Sequence, residues 1–166
     1  MESEPLYIYE AKAKAHSQEN FAIRFPNPCV IVPENMNGAK CEQLLHQLTL
    51  PSIPRNSSVY RLAKPENDPW ASFRIGRDQS NDVVVNFEGV LPVHAQLKVG
   101  RDARILDLNE CLKVSDIGDR LHPVTDGRHI LDGKAVVALS TNPLVLIYYF
   151  MPQEFYRMLN NKLAFS

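Results

Sequence analysis

An all-β antiparallel sandwich, with a small α/β N-terminal extension and a C-terminal helix, is the fold class predicted by three features of the sequence. From Ser57 onward, short β-type runs recur at regular spacing and are separated by turn residues. In one of them, "HAQLKV" at 94–99, Ala95, Leu97 and Val99 alternate with Gln96 and Lys98, the pattern of a strand covered on one face. No long helical pattern separates the runs, which argues against a parallel sheet built on crossover helices.

The chain divides by character into three parts. Residues 1–56 read as an extension packed on a larger body: a helix-like stretch at 12–25, a short apolar run "CVIV" at 29–32, and a helical turn "CEQLLHQL" at 41–48, broken repeatedly by proline. Residues 57–151 hold the strands, expected at 57–63, 72–76, 82–86, 94–99, 103–108, 111–117, 128–131, 134–140 and 144–150. "VGRD" at 99–102 and "LDGK" at 131–134 have the Gly and Asp chemistry of hairpin turns. Residues 152–166 return to helix: Pro152 suits a first turn, Glu154 complements the positive N-terminal end, and Phe155, Leu159 and Leu163 form an apolar stripe for packing.

Composition narrows the function classes. With 166 residues, 45% of them hydrophobic and 22% charged, the chain is of one-domain size and globular in character. A net charge of −1 and the lack of any Lys/Arg-rich run argue against nucleic acid or an anionic membrane as partner. No apolar run approaches the roughly 20 residues needed to cross a bilayer, and the acidic N-terminus is no secretory signal. Cys29, Cys41 and Cys111 form no C-x-x-C, so neither a disulfide framework nor a zinc site is implied, and a reducing cytoplasm is the expected location. His122, His129 and Cys111 match no metal-ligand spacing. No nucleophile elbow, P-loop or dinucleotide fingerprint occurs, so no catalysis, cofactor or metal is expected.

At "FRIGRDQSNDVVV" (73–85) followed by "VHAQL" (93–97), the chain resembles the forkhead-associated (FHA) family. The family pattern there is an I-G-R turn, an N-D-[IV] strand start and an S-[RK]-x-H-A segment. "VSDIGDRLHPV" at 114–124 stands where the family usually has D-x-G-S-x-N-G-T, and "ILDGKAVVAL" resembles a later segment. The tail "PQEFYRML" is similar to that of some bacterial relatives. The resemblance covers about residues 57–150 and implies an eleven-stranded sandwich whose loops at one end bind a phosphothreonine peptide. It also implies the ligands: an Arg after the turn Gly, a Ser three residues before the His, and the Asn of N-G-T.

Position by position, the implied site is incomplete. Gly76 and Arg77 match, with Gly76 expected to serve a turn through positive φ, and His94 matches as a structural hydrogen-bonding residue. The Ser position holds Leu91, and Pro92 follows it without an N–H. In the second block the Ser aligns with Asp119, the Asn with Leu121, the Gly with His122 and the Thr with Pro123. Phosphothreonine carries about −1.5 to −2 charges and needs several converging donors. At least two are missing, each worth about 1.5–3 kcal/mol, and Asp82, Glu88 and Asp116 add an acidic rim. Arg77 is expected to contact an acidic partner or to pair with Glu88 or Asp119.

These readings predict a non-catalytic adaptor or scaffold module on a degenerate FHA fold, binding a protein partner independently of phosphothreonine. Its candidate surface comprises Arg77, Ser80, Asn81, Asn86, Leu91 and Arg120. Two alternatives stay open. One is a phosphothreonine reader in kinase signalling that uses Arg77 with Ser80, Asn81 or Arg120 as substitute donors. The other is a self-associating scaffold, a homo-oligomer formed through the terminal elements.

Overall fold

In the computed structural model, which describes residues 1–36, 53–64, 71–116 and 120–160, the helical pattern expected at 12–25 resolves into two helices. Strand β1 (Glu4–Pro5) leads directly into α1 (Leu6–Lys14), and α2 (Gln18–Arg24) follows after a short break. Ser17 makes the break: extended at the N-cap of α2, its side chain accepts the Asn20 N–H at 3.2 Å. Leu6, Tyr9 and Ala13 recur at helical spacing and are buried. The helical turn expected at 41–48 lies outside the described residues.

The strands are β2 (Cys29–Val32), β3 (Ser58–Arg61), β4 (Ala71–Gly76), β5 (Val83–Val84), β6 (Ala95–Val99), β7 (Ala103–Asp107) and β8 (Lys113–Ser115). After them come β9 (His122–Pro123), β10 (Arg128–Leu131), β11 (Lys134–Thr141), β12 (Leu144–Phe150) and the helix α3 (Pro152–Asn160). They form a seven-stranded sheet in the order β1-β3-β2-β12-β11-β8-β9 and a five-stranded sheet in the order β10-β7-β6-β4-β5. Among the described residues every pairing is antiparallel except β4 with β5, which run parallel with Ile75 opposite Val83 and Gly76 opposite Val84. β1 and β9, two residues each, were not visible in the sequence pattern.

Two sequence expectations change. The run "CVIV" is not merely part of a covering layer: as β2 it pairs with β3 on one side and β12 on the other, inside the larger sheet. The "LDGK" turn is not a hairpin, because β10 belongs to the small sheet and β11 to the large one. It is a corner where the chain crosses between layers, with Gly133 at φ 74°. "VGRD" does close a hairpin, between β6 and β7.

The large sheet is buried on both faces. Val30, Val137, Leu139, Val145, Ile147 and Tyr149 point into the inter-sheet core, where they join Phe73, Ile75, Leu97 and Ile105 of the small sheet. Their neighbours Ile31, Val136, Ala138, Leu146, Tyr148 and Phe150 face the other way, into a second core shared with the three helices. There Tyr9 packs edge-on against Phe155 at 4.5 Å and against Phe21 at 5.6 Å between ring centroids. Phe155 and Leu159 of the C-terminal stripe are buried here, while Leu163 lies outside the described residues. The stripe therefore does core work on the sheet's outer face. Phe155→Ala should cost about 3–5 kcal/mol, measured as a lowered urea midpoint without loss of cooperativity.

Candidate functional site

The register of the small sheet brings three loops to one end of the sandwich. Ile75 of β4 lies opposite Ala95 of β6, and Ala95 lies opposite Asp107 of β7. The segments 77–82, 86–94 and 107–112 therefore meet at the same end. His94 holds them together. Its backbone N–H donates to the Ile75 carbonyl at 2.8 Å, and its ring Nδ1 accepts the Leu91 N–H at 3.0 Å. Nδ1 is thus unprotonated, and the neutral ring carries its proton on Nε2, 3.3 Å from Cys111 Sγ. The Asn109 side chain donates to the His94 carbonyl at 2.9 Å and the Val93 carbonyl at 3.4 Å. Asp107 closes its own loop by accepting the N–H groups of Asn109, Cys111 and Leu112.

A second set of bonds ties the first loop to the second. Arg77 N–H donates to the Leu91 carbonyl at 2.9 Å and Asp78 N–H to the Pro92 carbonyl at 3.3 Å. The Asn81 amide donates to the Asp78 carbonyl at 2.8 Å and the Pro92 carbonyl at 2.6 Å, with its own N–H on Asp78. Asn81, expected on the partner-facing surface, is only 2% exposed and works as an internal strut. Its amide N–H groups find acceptors in two loop carbonyls, while its Oδ1 is buried with no partner among the described residues. The backbone N–H groups of Arg77, Asp78, Asn81 and Leu91 and the Asn81 amide are turned inward.

The remaining predicted site residues fall in different places. Arg77, Ser80 and Asn86 are exposed, and Arg77 Nε donates to Asn86 Oδ1 at 3.3 Å. The expected Arg77–Glu88 ion pair does not form, and Asp119 lies outside the described residues. Leu91 is 43% exposed, and Leu108 of the third loop 49%. Arg120 leads into β9 at the far edge of the large sheet and shares no hydrogen bond or ion pair with the three loops among the described residues. Of the expected acidic rim, Asp82 pairs with Lys64 at 3.1 Å and accepts the Arg74 N–H at 2.8 Å, while Asp116 faces His129 at 3.7 Å.

The third loop itself is not the one the sequence pointed to. Leu121 is buried among the residues of the second core, and His122 and Pro123 form β9. The segment seated on His94 is 107–112, and the signal that could have found it is Asp107 followed by Asn109, an Asp two residues before a side-chain amide. His122 and His129 do approach, at 5.6 Å between rings, but Cys111 sits with His94 instead. Among the described residues no group of three His, Cys, Asp or Glu side chains is arranged to hold a metal.

Comparison with protein-family models and with curated proteins gives no match. Solved structures do match. The N-terminal FHA domain of Rad53 from S. cerevisiae, solved with a phosphothreonine peptide, superposes with a TM-score of 0.50 at 13% identity, covering 79% of this chain and 98% of that one. An engineered FHA domain bound to a Myc-pTBD peptide gives 0.50 at 14% identity, over 80% and 97% of the two chains. Rad53 residues 1–466 with AMP-PNP gives 0.50 at 14% identity, over 82% of this chain and 33% of that one. The chain has the FHA fold. At these identities the likeness is one of architecture.

Within this FHA fold, Gly76 is required for a reason other than the positive φ expected of it. It lies in extended β4, and its φ is not in the left-handed region. A Cβ here would press into the Pro92 carbonyl and come within 2.8 Å of Asn81 Nδ2, the two groups that join the loops. Gly76→Ala should therefore cost about 1–3 kcal/mol as an overpacking change, read as a lowered melting temperature with perturbed amide resonances in 77–94.

His94 adds a pH dependence with a definite sign. It is 1% exposed, and burial lowers its pKa below the ordinary 6.5, outweighing the raising effect of a backbone hydrogen bond and of Asp107. Below pH about 6.5 the unfolded chain takes up a proton that the folded ring refuses, so stability present above that pH is lost as pH falls through the folded pKa. Denaturation midpoints across this window should fall more steeply for the native chain than for His94→Asn; equal slopes would contradict the neutral-ring geometry.

Proposed function

We propose that this chain is a non-catalytic protein–protein interaction module of adaptor or scaffold type, and that its loop end engages an unphosphorylated partner. The observation that carries this reading is where the donors go. A phosphate dianion needs a cation and several N–H or O–H groups converging on it. Here the backbone N–H groups of Arg77, Asp78, Asn81 and Leu91 all donate to acceptors within the chain, as does the Asn81 amide. Recruiting them to a ligand would break bonds that hold the loops together, and a released buried carbonyl or ring nitrogen costs about 1–3 kcal/mol each. Arg77 alone would form an exposed ion pair, worth about 0–1 kcal/mol and screened by salt.

Two of the three substitute donors lose support, while Ser80 is exposed. Asn81 is buried and occupied, and Arg120 belongs to another edge of the sandwich. Among the described cysteines, Cys29 is buried and unpaired and Cys111 is exposed and unpaired, which fits a reducing cytoplasm. No helix among the described residues is long and apolar enough to cross a membrane.

The test uses a degenerate phosphothreonine peptide library and its unphosphorylated counterpart, each passed over the immobilised full chain. Retention of the two should agree within about twofold, a difference below 0.5 kcal/mol. Tenfold or greater enrichment of the phosphorylated library, abolished by Arg77→Ala, would overturn the proposal.

A further inference from the structure

We infer that the outer face of the five-stranded sheet is a second docking surface whose occupant is an acidic polypeptide segment, with Arg74, Lys98, Arg104 and Arg128 taking its carboxylates and Ile130 its apolar side chains. The inference goes beyond the loop-end reading and uses none of its residues.

The strand register puts these groups on one surface. Residues paired across a ladder project to the same side, as does every second residue along a strand. One row runs Ile130–Arg104–Lys98–Ser72 across β10, β7, β6 and β4, and the next runs Arg128–Leu106–Gln96–Arg74. The Gln96 amide donates to the Ser72 hydroxyl, which ties the two rows together. Arg74, Lys98, Arg128 and Ile130 are exposed, whereas the intervening Phe73, Leu97, Ile105 and Leu131 point into the inter-sheet core.

The charge on this face identifies its occupant. The chain as a whole has a net charge of −1, but the two rows carry four cations and no acid. Lys98 stands directly opposite Arg104 and diagonal to Arg74, and like charges so placed work against stability unless an anion lies between them. The carboxylates at the margins are engaged, Asp102 with Arg104 and Asp82 with Lys64, each at 3.1 Å. Asp126 and Asp132 stand beyond the two ends of β10. Among the described residues no ion pair engages Arg74, Lys98 or Arg128.

Ile130, 52% exposed amid these cations, points to a polypeptide. A phosphate backbone has nothing to set on an isoleucine, and a net-negative chain repels it at long range. A second copy of this chain, docked face to face, would set cation against cation.

The probe is a labelled peptide in which pairs of Glu alternate with single Leu residues, measured by fluorescence anisotropy on the full chain at low salt. Saturable binding is expected. A Gln-for-Glu counterpart, an oligo-dT strand and phosphatidylserine vesicles should each bind about tenfold more weakly. Lys98→Glu combined with Arg128→Glu should weaken the acidic peptide about tenfold and Ile130→Ser about threefold, while Arg24→Ala, on α2, leaves it unchanged. Lys98→Glu replaces a like-charge cross-strand pair with an opposite one, so the variant should melt no lower than the native chain. The Gln counterpart tests the same claim on the unaltered chain. Absence of saturable binding, indifference to the charge reversals or to Ile130→Ser, or tighter retention of oligo-dT or vesicles would overturn this inference and leave the loop-end reading standing. A phosphate requirement at the loop end would do the reverse.

Discussion

The hydrogen bond from the Leu91 N–H to His94 Nδ1 is the constraint on which the loop end depends. It fixes the histidine as neutral, with its proton on Nε2, and it commits a backbone donor that would otherwise face solvent. Because His94 also receives Asn109 on its carbonyl and Cys111 on its ring, one buried side chain sets the relative position of the second and third loops. Asn81 and the close approach permitted by Gly76 do the same for the first. The result is a rigid end that spends these backbone donors and the Asn81 amide on itself. What it presents outward is one guanidinium, a few exposed polar side chains and two leucines.

That rigidity has a support on the opposite face of the large sheet. The small sheet buries one side only, but the large sheet is the middle of three layers, with the helices covering its outer face. The terminal segments are therefore part of the architecture: β2 is paired on both edges, and α3 places Phe155 between Tyr9, Phe21 and Phe150. Tyr9 and Tyr148 are both buried here, and burial pushes the Tyr148 phenol up to about 12.

Most of the strand content could be read in the sequence, because one-face burial leaves alternation, as in β6, and two-face burial leaves continuous apolar runs, as in β11 and β12. What the sequence hid depends on contacts between distant residues. The placement of "CVIV" between β3 and β12 is a matter of pairing, invisible in a four-residue run. The corner at Asp132–Gly133 has the same composition as a hairpin turn. Two-residue strands such as β1 and β9 carry no periodicity at all.

The exposure of the loop residues is legible in the sequence in part. Arg77, Ser80, Asn86 and Leu91 are exposed as their loop positions imply, but Asn81 faces inward because the carbonyls of Asp78 and Pro92 need a donor. By its Asp and Gly at family-like spacing, the sequence points to 114–124 for the third loop. Asp107 and Asn109 perform the loop-closing role, and only the β7 register shows that they reach His94. Gly76 was expected for its φ and is needed for its missing side chain.

The claim that the donors are turned inward is tested most directly by nuclear magnetic resonance on the native chain. The account predicts that His94 Nδ1 carries no proton at neutral pH, that the Leu91 and Arg77 amides exchange slowly with solvent, and that neither shifts when a phosphothreonine peptide is added. Fast exchange at these amides, together with saturable phosphate-dependent shifts in them, would contradict it.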